Sequence, residues 1–151
     1  MPTPTYDLIA SNVLTSDTGT LTFSSIPATY RDLVIVVRMS NASVYSLRFN
    51  GDSGLNYHSV AMTGFGTTAT SSTSSPDDQI SISYNAPGIV QILDYSATDK
   101  HKSVLARADS SATATQARAG RWANTAAINS ITFTNMSSNS GSSFYLYGIS
   151  A

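Results

Sequence analysis

The sequence predicts an all-β protein: an antiparallel, jelly-roll-like β-sandwich of about ten short strands with little or no helix. Three observations carry that expectation. The run Leu33-Val34-Ile35-Val36-Val37 is continuously apolar, and four of its five residues are β-branched, which suits a buried strand and not a helix. A strictly alternating run follows, with Tyr45, Leu47 and Phe49 on one side and Ser46, Arg48 and Asn50 on the other. The chain also holds 26 Ser and 18 Thr but only two Lys and no Glu. Solvent faces covered by hydroxyls suit strands and make poor exposed helices.

The elements fall in order around that pair, which reads as a central strand and its amphipathic neighbour. Residues 1–5 alternate Pro and Thr and are expected to form an extended arm, leaving 6–151 as one β-sandwich domain. Tyr6 to Leu14 and Thr20 to Phe23 are strands separated by the turn Asp17-Thr18-Gly19. Pro27 breaks the connection to the central strand. Asn56 to Met62 is a weaker strand, because Tyr57, Val60 and Met62 do not keep one parity. Gly64 to Pro76 has no periodicity and reads as a long exposed loop with Phe65 its one large apolar group. Gln79 to Tyr84 and Ile89 to Tyr95, separated by Asn85-Ala86-Pro87-Gly88, read as a hairpin. His101 to Asp109 places Val104, Ala106 and Ala108 on one side. Thr113 to Asn124 is Ala-rich, yet Thr113, Thr115 and Gly120 tip it toward strand. Asn129 to Asn135 and Phe144 to Ile149 are the last strands. No βαβ pattern occurs, so no parallel sheet is expected.

The composition narrows the chemistry. Without cysteine there is no thiolate nucleophile, redox pair or Cys-ligated zinc. A net charge of −1 with no basic block argues against nucleic acid, and no apolar run is long enough for a membrane span. The start MPTPTYD has neither the basic nor the apolar segment of a secretion signal. The two histidines, His58 and His101, lie in no metal-ligand spacing, and no G-x-S-x-G accompanies the serines. Asp77-Asp78 is the one adjacent carboxylate pair, and without Glu an acid–base pair for glycoside cleavage is disfavoured. Asp52 in NGDSG reads as a turn residue and not as part of a calcium loop, which needs further acidic ligands. No catalytic, cofactor or metal site is expected. What remains are contact residues: the arm Pro2, Thr3, Pro4, Thr5 and Tyr6, the loop residue Phe65, and Arg118, Arg121 and Trp122. If extended, Arg118, Gly120 and Trp122 share a face with Arg121 opposite. A Trp among arginines either makes a contact hot spot, stacks on a sugar ring, or caps the core.

Several segments carry a resemblance: Tyr6-Asp7-Leu8-Ile9-Ala10, Phe23-Ser24-Ser25-Ile26-Pro27, Tyr30-Arg31-Asp32-Leu33, Leu47-Arg48-Phe49-Asn50-Gly51-Asp52-Ser53-Gly54, Ile128 to Phe133, and Leu146-Tyr147-Gly148-Ile149. Together they resemble a family of small β-sandwich structural proteins of tailed phages, cyanophages especially. The resemblance covers most of the chain and is diffuse in 64–76 and 110–125. It implies a non-enzymatic virion protein of the capsid decoration (cement) type. Such a protein would bind the major capsid protein on the outer capsid, as a homotrimer, and stabilise contacts between capsomers. The other reading it implies is a tail-fibre module recognising cell-surface glycan.

Overall fold

Alternating runs close into strands when their apolar sides can face another sheet, and most strands of this chain do so. The structure, a computed structural model, describes residues 4–40, 44–82, 88–110, 114–137 and 139–150. Its strands are β1 (Tyr6–Val13), β2 (Leu21–Phe23), β3 (Asp32–Arg38), β4 (Tyr45–Phe49), β5 (Tyr57–Phe65) and β6 (Thr68–Asp77). They continue with β7 (Ile80–Ile82), β8 (Gly88–Leu93), β9 (Lys102–Ser110), β10 (Ala114–Trp122), β11 (Ile131–Thr134) and β12 (Ser143–Ile149). All pairings are antiparallel. One sheet has eight strands in the order β1-β12-β3-β8-β9-β10-β5-β6, and the other has four, β2-β11-β4-β7. The described residues contain no helix. The two sheets enclose one core and form a β-sandwich, as the hydroxyl-rich alternation predicts.

Inward residues meet across the core. Phe133 of β11 lies edge-on to Phe144 of β12, with ring centroids 4.8 Å apart, and Phe49 of β4 meets Trp122 of β10 at 5.7 Å. The continuous run of β3 is explained by its place inside the large sheet: Leu33, Ile35 and Val37 are fully buried in the core, and Val34 is covered on the opposite side. Gly148 is needed where Tyr30 lies across β12, because a Cβ there would come within 2.2 Å of that ring.

Two expectations about strand pairing are corrected. β3 and β4 are not partners in one sheet: β3 pairs with β12 and β8, β4 with β11 and β7, so the chain crosses the sandwich between them. Of the expected turn at 40–43, residues 41–43 lie outside the described residues. The hairpin expected over 79–95 fails for the same reason, with β7 on β4 and β8 between β3 and β9. Its turn residues 85–87 also lie outside the described residues. Nearness in sequence brings strands together, but burial of each apolar face decides which sheet they join.

Gly64 to Pro76 is not a loop. It is the end of β5, a tight turn with Gly66 at φ +54°, and the ten-residue edge strand β6. With solvent on both faces it has no inward residue to set a period. Its ladder to β5 and its Thr content hold it extended. With it, the described residues hold twelve strands in place of about ten.

Lys102 is the unusual core residue. It is fully buried on β9, and its three ammonium protons go to the carbonyls of Ala97 (2.7 Å), Lys100 (2.9 Å) and Thr125 (3.2 Å). Burial pushes its pKa down, while Asp99 and Asp94 oppose that. The ammonium ties the 94–101 turn to the 123–130 connection. Lys102→Met keeps the length and strands three carbonyls, so it is expected to destabilise the fold by about 3 kcal/mol in urea unfolding. A loss of a few tenths would show that the cage is dispensable.

Candidate interaction surface

The residues expected to make contacts separate into core and surface. Trp122 is 1% exposed and faces inward, stacked on Tyr57 at 6.4 Å and packed against Phe49. Its indole N–H donates to Asp52 Oδ2 at 2.7 Å. Arg118, 7% exposed, faces the same way and donates to Ser59 Oγ at 3.0 Å. The shared face of Arg118, Gly120 and Trp122 is therefore real, but it is the core face. Neither Trp122 nor Arg118 is a contact residue, and capping the core is the role Trp122 takes. Arg121, opposite them, is exposed. Pro4, Thr5 and Tyr6 are exposed, Tyr6 by 56%, and Phe65 is 41% exposed at the end of β5. Pro2 and Thr3 lie outside the described residues.

Of the segments that carried the resemblance, Leu47 to Gly54 is a structural fastening. Within it, Arg48 pairs with the Asp78 carboxylate. Asn50 accepts from the amides of Asn129 (2.9 Å) and Ser130 (3.2 Å) and donates to the Ala127 carbonyl (2.7 Å). Asn50 and Gly51 both take positive φ, which their residue types tolerate. Asp52 accepts from Trp122, Asn56 and the Gly54 amide. The Tyr57 hydroxyl accepts from the Phe49 amide and donates to the Asp52 carbonyl, and burial pushes its pKa up to about 12.

His58 Nδ1 contacts Ser75 Oγ, but the hydrogen bonds of the described residues bring no carboxylate to that imidazole. The pair sits on an open sheet surface beside Val60, Thr73, Ala119 and Arg121, around a hollow of about 450 Å³. No group of three His or Asp side chains among the described residues could hold a metal ion.

The outer face of the eight-stranded sheet is the part that sequence reading missed. The strand register sets one row of outward residues across it: Val60, Ala119, Leu105, Gln91, Val34, Tyr147 and Leu8. The adjacent row is Met62, Ala117, Arg107, Ile89, Val36 and Tyr145. Leu93 begins a third row with Ser103, Arg121 and His58. Arg107 is the one charge in the first two rows, and Asp109 lies two residues along on the same face of β9. The signal in the sequence was the broken parity of Tyr57, Val60 and Met62: β5 is apolar on both faces.

Burial pushes the Asp52 carboxyl up, yet hydrogen bonds from Trp122, Gly54, Asn56 and Asn124 together outweigh it and hold the group below its ordinary range. Asp77 is held low by the Ser74 hydroxyl and by neighbouring amides, against burial. A lowered carboxyl stabilises the fold above its unfolded pKa, and that contribution disappears as pH falls through the folded value. Urea midpoints are therefore expected to drop below about pH 4. Asp52→Asn should flatten part of that drop; an unchanged acid slope in the variant would remove Asp52 from the account. Compared with protein-family models and with curated proteins, the chain matches none.

Proposed function

We propose that this chain is a non-enzymatic structural protein of a tailed-phage virion, a capsid decoration protein that binds the outer capsid and fastens neighbouring capsomers. The observation that carries the reading is the position of the exposed contact groups. Tyr6 begins the edge strand β1, level with Ile149 and Asp32, and Pro4 and Thr5 lead into it. Phe65 lies beside the opposite edge, at the other end of its strand. These corners are diagonal, separated by about 29 Å across the strands and roughly 24 Å along them. A rigid plate with sticky groups at opposite corners suits bridging between two neighbours. A surface with few charges suits a protein held in an assembly.

The partners on this reading are the major capsid protein and further copies of this chain, as a trimer at a threefold position where one plug meets three capsomers. Bound plugs favour the assembled shell by mass action. Added to expanded capsids that lack it, the isolated protein is expected to bind and raise their heat resistance. Removing residues 1–5, or Phe65→Ser, should weaken binding by about tenfold or more. Capsids whose heat resistance does not change would reject the reading.

A second reading, a tail-fibre module gripping cell-surface glycan, loses its Trp122 support and keeps another. Tyr145 and Tyr147 stack at 6.5 Å, Tyr6 meets Tyr147 edge-on, and Gln91 and Arg107 stand beside them around a hollow of about 330 Å³. Glycan-array binding abolished by Tyr147→Ala would favour it, and an array without signal would discard it.

A further inference from the structure

We infer that the outer face of the eight-stranded sheet is the surface through which copies of this chain pack on one another. The inference stands apart from the virion setting and holds for any oligomer the protein forms. Its first support is extent. The three rows take in seven, six and four strands, and at about 4.8 Å between strands and about 6.8 Å between rows their 17 positions cover roughly 550 Å². The twelve apolar positions among them cover about 400 Å², within the ~300–600 Å² of the largest apolar patches on monomers, which are often functional.

The second support is the kind of side chain. Val60 and Met62 of β5, Ile89 of β8 and Leu105 of β9 stand out from three different strands, each between 37 and 59% exposed, where a monomer would carry Lys or Thr. Aliphatic and Met side chains offer a protein surface good packing and offer a sugar ring little. The third is charge. Arg107 and Asp109 stand two residues apart on one strand face, so a second copy related by a twofold axis can set each against its opposite, while Arg121 and His58 lie at the margin in the third row. The same chain already stacks sheet on sheet inside its own core, and the outer face offers that geometry again.

Analytical ultracentrifugation of the full chain tests this directly. The protein at tens of micromolar is expected to sediment as an oligomer. The double variant Ile89→Lys/Leu105→Lys should weaken association about 100-fold or more while its circular dichroism and melting temperature hold. Leu55→Lys, at a position 66% exposed between β4 and β5, should leave association intact. Arg107→Asp should weaken it, and adding Asp109→Arg should restore it. A wild-type monomer would overturn the inference, as would a double variant that stays oligomeric or a charge swap that fails to restore. A monomer that instead binds glycan through this face would assign the surface to the sugar and overturn it equally.

Discussion

The hydrogen bond from the Trp122 indole to Asp52 joins two parts of the chain with different obligations. Trp122 belongs to β10 in the large sheet, and Asp52 to the turn that leaves β4 in the small one. A buried indole N–H without an acceptor would be costly, and an ionised carboxylate without donors more so. Each settles the other. The arrangement fixes the end of the sandwich where Tyr57 stacks on Trp122 and where Asn50 grips the 127–130 connection. The order of the β4–β5 crossover, and with it the position of β5 and the edge strand it carries, depends on that closure.

Away from this closure, polarity is distributed in an uncommon way. Ser and Thr cover β6 on both faces, while aliphatic side chains cross the outer surface of the large sheet. The core is conventional by comparison, with its aromatic contacts passing from Phe23 through Phe133 to Phe144 and from Phe49 to Trp122. The fold thus joins a packed interior to an exterior that carries exposed aliphatic side chains on one broad face.

Most strands were legible because their burial is one-sided. Val104, Ala106 and Ala108 on β9, or Ile131 and Phe133 on β11, announce themselves by alternation that the fold repeats. Strand β6 was illegible because neither face is buried, so no period exists to detect. The assignment of strands to sheets was hidden for another reason: β4 and β7 meet through residues 30 or more positions apart, and no local pattern encodes that. Trp122 shows the limit at the candidate site. Its arginine neighbours suggested a surface, but inward and outward faces of one strand look alike until the partner sheet is known. Val60 and Met62 were visible as a broken parity, and that irregularity was the trace of a second apolar face.

The sealing of Lys102 has a practical side. The chain has two lysines, and one of them spends all three ammonium protons on carbonyls inside the fold. Lys100, half-exposed in the turn after β8 and near Asp94, is the one lysine open to amine-reactive reagents in the native state. A dye or cross-linker directed at lysine would therefore mark a single turn and leave the broad faces of both sheets chemically untouched.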